Sequence, residues 1–319
     1  MFLGIPRGFF YYDYISFAEE LFRGTDVTLV PGMENSEDIL SEGSRLTVDE
    51  ACFPIKLFTG QVSRLSERCD KVLIPRIMKD CSGRWLCPKL MGLPELSVPV
   101  ECSKKTAVTE PVYFNDRKKA EKAFRKLCSG LGIKRDTFEK NFERAYGMQK
   151  RVAEGMENIR PDASWRFIPQ PPQEGEIILP NISNVLLLGH CYNIYDKFSN
   201  CNIIEKLDNL AIGTVMESSI SNARKEAAVR RLRLAKKPFW ESFIRNVGTA
   251  VELKDEVDGI IYLSSFSCGP DAVIAEMVKK YSGDTPVMIL KLDEHRGEAG
   301  LETRLEAFAD LLDRRRYVC

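Results

Sequence analysis

Short apolar runs of four to six residues recur along the chain. Between them lie longer stretches in which apolar residues return every three or four positions. The short runs fit strands buried on both faces, and the longer stretches fit amphipathic helices. Their alternation is the pattern of βα units that build parallel sheets. In the first hundred residues the runs predict strands over Phe2–Ile5, Val27–Val30, Lys71–Pro75 and Leu96–Val100. Helices are predicted between them over Tyr14–Arg23 and Pro54–Glu67. Pro54 falls in the first turn of its helix, where a missing N–H costs nothing.

From about Lys104 the pattern changes. Asp116–Leu127 and Asp136–Asn158 read as amphipathic helices with no strand between them. The stretch Pro161–Pro180, with Pro169, Pro171 and Pro172, reads as an extended linker. Alternation then resumes, with strands predicted over Val185–Leu188, Gly213–Met216, Gly259–Ser264 and Val287–Leu292. Helices follow at about Tyr195–Leu207, Lys237–Val251, Asp271–Tyr281 and Leu301–Asp313. The expected fold is α/β, with two parallel-sheet, Rossmann-like domains and a helical insert between them. The boundaries read as an N-terminal α/β domain over 1–103, the insert and Pro-rich linker over 104–180, and a C-terminal α/β domain over 181–319.

Composition narrows the function. At 319 residues the chain suits two cores. The 46 basic and 46 acidic residues cancel, so nothing draws the whole molecule to nucleic acid or to a membrane surface. No apolar stretch approaches the roughly 20 residues of a membrane helix. The opening MFLGIPRGFF lacks the charged region and cleavage site of an export signal, so a cytoplasmic location is expected. There the ten cysteines stay reduced, which points them to packing, metal binding or redox chemistry. With only two histidines, a His-rich metal site is excluded.

Three cysteines share a local grammar. Cys52 is followed by Phe53-Pro54, Cys87 by Pro88, and Cys268 by Gly269-Pro270. Proline has no N–H and breaks the preceding element, so each thiol sits on a turn with no competing ladder. Cys268 ends a predicted strand and precedes a predicted helix. In an open parallel sheet that is the carboxyl edge, where ligands bind and where a helix start favours a thiolate. Three thiolates suit a [4Fe–4S] cluster with one iron left open. No C-x2-C pair exists, which argues against a ferredoxin-type or zinc-ribbon site. Packing is the competing explanation for any cysteine. Cys69, Cys102 and Cys128 are read as packing, Cys319 as a free tail, and Cys81, Cys191 and Cys201 stay open.

Other residues gather at predicted strand ends. Arg7 and Arg76 each follow an Ile-Pro pair, where they could neutralise an anionic cluster, clamp a carboxylate or phosphate, or form structural salt bridges. His295 and then Glu298 are the candidate catalytic proton donors after the last strand, with Asp293 and Glu294 beside them. Asp49 and Glu50 precede Cys52. Helix capping and support of cluster ligands are the competing roles for these groups. His190, Tyr192 and Asn193 follow another strand and read as lining. The basic run Arg224–Lys237 reads first as a solvated helix face, and second as a docking surface for an acidic partner or coenzyme A phosphates. Phe9, Phe10, Tyr11, Tyr12 and Tyr14 read as packing. No phosphate loop is present, so any ATP is expected to be used by a partner.

Several longer stretches carry a resemblance over nearly the whole chain: GIPRGFFYYDY, VDEACFPIKLFTGQV, WLCPKLMGLP, GHCYNIYDKF, YLSSFSCGPDAVIAE and LDEHRGEAGLETRLEAF. They resemble the 2-hydroxyacyl-CoA dehydratase and benzoyl-CoA reductase superfamily, in particular its activase-associated branch. The resemblance implies an oxygen-sensitive iron–sulfur cluster held by Cys52, Cys87 and Cys268, drawn from both domains, and a separate ATP-dependent activase that donates one low-potential electron. Some relatives carry a double-cubane cluster, and the spare cysteines leave that open here. The implied role is an electron-accepting component that reduces or dehydrates a small, CoA-linked or other substrate at the open iron. The alternative is a non-catalytic carrier or scaffold relaying electrons from the activase, and a zinc-stabilised binding protein is a third. True dehydratases use two related subunits, so a related subunit or a homodimer is an expected partner. The superfamily does not fix the substrate.

Overall fold

The computed structural model describes residues 1–154, 183–295 and 298–316, so the predicted linker Pro161–Pro180 lies outside the described residues. The chain divides into two units, Met1–Arg160 with Phe239–Glu241, and Pro161–Pro238 with Ser242–Cys319.

The first unit runs β1 (Phe2–Ile5), α1 (Phe10–Leu21), β2 (Thr28–Pro31), α2 (Glu37–Arg45), α3 (Phe53–Arg68), β3 (Lys71–Ile74), β4 (Ile77–Lys79), α4 (Pro88–Met91), α5 (Leu93–Ser97), β5 (Thr106–Val108), β6 (Val112–Tyr113), α6 (Arg117–Gly130) and α7 (Arg135–Ala153). Its main sheet is parallel throughout, in the order β2-β1-β3-β5, and β4 and β6 form a separate parallel pair. α2 and α3 cross at a small-residue contact. A Cβ on Gly43 would stand 1.7 Å from the Lys56 carbonyl oxygen, and one on Gly60 would stand 2.0 Å from that of Ile39. α7 is tied to α1 by side chains that satisfy carbonyls at and beyond its end. Asn141 Nδ2 donates to the Leu21 and Arg23 carbonyls at 3.0 and 2.8 Å. Phe17 packs edge-to-face on Phe114 and Phe142 and at a tilt on Phe124, which builds an aromatic core here.

The second unit runs β7 (Ser183–Gly189), α8 (Cys191–Ile194), α9 (Ile203–Asn209), β8 (Ile212–Met216), α10 (Asn222–Arg231), α11 (Glu241–Leu253), β9 (Gly259–Ser265), α12 (Gly269–Tyr281), β10 (Val287–Leu292) and α13 (Glu298–Arg316). Its parallel sheet has the order β10-β9-β7-β8. Val185–Leu188 and Ile260–Leu263 are fully buried, as central strands covered on both faces must be.

In chain order, both sheets place the second strand beside the first, and the third and fourth on its other side. Each is therefore doubly wound, with a switch point between its first and third strands. The fold is the expected one, two parallel sheets with the helices α6 and α7 between them in sequence.

Two predicted elements are not found as predicted. Leu96–Val100 is not a strand. Pro94 sits in the first turn of α5, a 3-10 turn follows over Val100–Lys105, and the apolar Leu96 and Val100 are exposed while Ser97 is buried, the reverse of a strand's apolar face. The fourth strand of that sheet is β5, paired through Val72↔Thr106 and Ile74↔Val108. Tyr195–Leu207 is not one helix. Asp196 accepts hydrogen bonds from the Phe198 amide and the Ser199 hydroxyl, and Cys201 and Asn202 take left-handed backbone angles. These local side-chain bonds compete with the helical ladder and break it.

Candidate metal centre

In the second unit the chemistry gathers at the switch point between β7 and β9. β7 ends at Gly189, whose φ of +148° suits glycine. A Cβ there would stand 2.7 Å from the Leu263 carbonyl oxygen, and its amide donates to Asn246 Oδ1 at 2.8 Å. The chain is thus turned sharply over the neighbouring strand, and His190 follows as the N-cap of α8. Its ring stacks on Tyr192 at 4.8 Å between centroids, which fixes its orientation. After β9, Ser267 takes a φ of +61°, and Cys268 becomes the N-cap of α12 with Pro270 in the first turn.

Asp271 in that first turn has no solvent exposure. Its Oδ1 accepts from the Tyr262 hydroxyl at 2.8 Å, and its Oδ2 accepts from the Ser265 amide at 3.1 Å. His190 Nε2 lies 3.2 Å from Oδ1. Burial works to raise the pKa of Asp271. The charge of His190, with hydrogen bonds from His190, Tyr262 and Ser265, outweighs burial and holds the carboxyl below its ordinary range. The ligand atoms of His190, Cys268 and Asp271 all lie within 4.8 Å of one another, a three-ligand group able to coordinate a metal ion.

In the first unit, Cys52 is the N-cap of α3 and Cys87 the N-cap of α4, both with extended backbone and Pro in the first helical turn. Neither side chain makes a capping hydrogen bond, and the same is true of Cys268. α3 leads directly into β3, so its N-terminus lies toward the carboxyl edge of a parallel sheet. Burial raises the pKa of the Cys52 thiol. Lys89 and the Ile55 amide oppose that rise, and Cys87 adds to it. Cys52 and Cys87 are therefore near enough to sense each other's charge.

The remaining candidates divide. Arg7 lies 3.9 Å from Glu34 and over the ring of Tyr11, and Arg76 pairs with Glu95. Both thus form the salt bridges that sequence left as one option. His295 is exposed in the turn after β10, its amide donating to Asp293 Oδ1 at 2.9 Å. The side chain of Glu298 lies outside the described residues. Asp49 and Glu50 are exposed. The basic run is partly compensated, since Arg224 and Arg231 both pair with Glu252 of α11. Phe9, Phe10, Tyr11 and Tyr12 are buried, as packing residues should be, and Tyr14 stacks on Phe114. Cys128 is buried, and burial alone pushes its thiol up to about 12, as expected of an inert packing residue.

Sequence reasoning gave His190 only a lining role and did not single out Asp271. The signals were present. His190 is the first residue beyond the Leu-Leu-Leu-Gly strand end. Asp271 stands three residues after Cys268, where the first turn of a helix faces its own N-cap.

Among the described residues, no helix is long and apolar enough to cross a membrane. No curated protein matches the chain. One family model does match, over residues 3–220, well over half of the sequence. The chain therefore belongs to the family described as the CoA enzyme activase uncharacterised domain (DUF2229).

Proposed function

We propose that the protein is the iron–sulfur, electron-accepting component of an ATP-coupled, low-potential redox system related to the 2-hydroxyacyl-CoA dehydratases. Cys52, Cys87 and Cys268 would hold its [4Fe–4S] cluster. The observation that carries this reading is the geometry these three thiols share. Each caps a helix N-terminus, each is followed by Pro in the first turn, and none spends its sulfur on the cap. A helix N-terminus offsets part of the burial that raises the Cys52 pKa, and a bound metal would complete the stabilisation of the thiolates. The electrostatic coupling of Cys52 to Cys87 and the grouping of Cys268 with His190 and Asp271 support the same reading. So does membership in a family named for CoA enzyme activases, which makes an activase the first partner to test.

When bound, a cluster supplies single electrons at low potential, at an iron left open to water or substrate. The chain's own residues set its surroundings. Asp271, fixed by Tyr262 and Ser265, orients the polar groups around Cys268. Arg7 and Arg76 bring positive charge to the carboxyl edge of the first sheet. Their present partners, Glu34 and Glu95, are largely exposed and exchangeable. His295 and Glu298 are the proposed proton donors. Dehydration of a 2-hydroxyacyl-CoA and reduction of another small molecule are the two outcomes to test. A related subunit or a second copy of the chain is the partner to seek beside the activase.

Anaerobic purification with iron, sulfide and zinc analysis tests the cofactor. The expected result is a brown protein with iron and acid-labile sulfide, bleached by an activase with ATP. A colourless, zinc-loaded protein overturns it. A second reading, a non-catalytic carrier, has the same cofactor. It predicts intact electron transfer from the activase with no turnover of any acyl-CoA.

A further inference from the structure

The cluster reading uses Cys268 as a ligand and gives its neighbours His190 and Asp271 supporting roles only. Asp271 is a fully buried carboxylate with two neutral donors, Tyr262 and Ser265, and the imidazole of His190 beside it. A buried anion requires a positive partner, and either a protonated imidazole or a metal ion shared with it meets that requirement. The buried imidazole of His190 and the thiol of the partly buried Cys268 lie beside the carboxylate. Two donors bound to one ion at about 2.0–2.2 Å sit roughly 3.0–3.5 Å apart. His190 Nε2 and Asp271 Oδ1 are separated by 3.2 Å.

The geometry assigns to the second unit a mononuclear site for a borderline divalent transition-metal ion, zinc or ferrous iron, ligated by His190 Nε2, Cys268 Sγ and an Asp271 carboxylate oxygen. Nitrogen, sulfur and oxygen donors together suit such ions and not magnesium or calcium. The supports that metal sites use are in place. The imidazole is held by its stack on Tyr192, and the carboxylate by Tyr262 and Ser265. Three protein donors leave a fourth position for water or another ligand, and Cys268 itself is only partly buried. The site lies wholly in the second unit and needs neither Cys52 nor Cys87. Cys268 therefore belongs to two donor sets, and a lone ion there competes with cluster assembly.

The test uses the full chain carrying Cys52→Ser and Cys87→Ser, stripped with a chelator and titrated with Co2+ and then Zn2+. Saturable uptake of a single ion per chain is expected, with a cobalt–thiolate charge-transfer band that zinc abolishes. His190→Ala added to that background is expected to weaken uptake at least tenfold, and Cys268→Ser to remove the band. A chain with no saturable uptake, or uptake and band unchanged by His190→Ala, overturns the assignment. In that case the partner of Asp271 is the protonated imidazole. Circular dichroism of each variant separates lost ligands from lost fold. Because the background cannot build the cluster, the result is independent of whether the wild-type chain holds iron and sulfide.

Discussion

The two sheets share one strand order but carry different chemistry at their carboxyl edges. In the first unit, β1 and β3 both end in Ile-Pro-Arg. Their arginines reach carboxylates that are 71% and 62% exposed. In the second unit the strand ends bury their charge. Asp271 meets His190 after β9, and Glu217 after β8 meets Lys225 at 2.5 Å with Arg245 at 3.7 Å. Topology fixes where a ligand site can form, and the first few residues beyond each strand fix what it holds. Exposed pairs are worth about 0–1 kcal/mol. Removing one partner of a buried pair costs about 3–5 kcal/mol, because the other charge is left stranded. The second unit should therefore be far less tolerant at its edge than the first.

The largest break in that comparison is Lys225→Met. It should cost about 3–5 kcal/mol in urea unfolding, and Glu217→Leu added to it should restore most of the loss. Acid should expose the same pair. Burial works to raise the Glu217 pKa, but Lys225 and Arg245 hold it below the ordinary carboxyl value. A depressed folded pKa gives stability that is present above the unfolded carboxyl value and lost as pH falls through the folded one. The Lys225→Met chain should show a shallower acid limb, measured by thermal melts from pH 7 downward.

Next comes Gly189→Ala. Positive φ and the Leu263 carbonyl should together cost about 1–3 kcal/mol, and should loosen the His190 site, read as weaker Co2+ uptake. Cys128→Ala should cost about 1 kcal/mol and leave metal content unchanged. Its thiol, pushed up to about 12, should resist alkylation in the native protein. Smallest is Arg76→Gln, whose exposed pair with Glu95 should be worth no more than about 1 kcal/mol by urea unfolding.

Much of this was legible in the chain. Buried parallel strands such as Val185–Leu188 and Ile260–Leu263 announce themselves as uninterrupted apolar runs, and Pro after Cys52 and Cys268 marks two of the predicted helix starts. α2 gave no such signal, because a glycine, Gly43, occupies its buried face where a periodic pattern would place a large apolar residue. β5 was missed because three residues with an exposed end carry too little pattern. The pairing of His190 with Asp271 joins residues 81 positions apart, and only the strand order brings β7 beside β9.

The central claim is that three helix-capping thiols hold one iron–sulfur cluster. Its most direct test measures iron and acid-labile sulfide per chain after anaerobic reconstitution, in the wild type beside Cys52→Ser, Cys87→Ser, Cys268→Ser and Cys128→Ser. The account predicts that each of the first three variants loses its iron and sulfide while Cys128→Ser keeps the wild-type content. Full iron and sulfide in all four variants would contradict it.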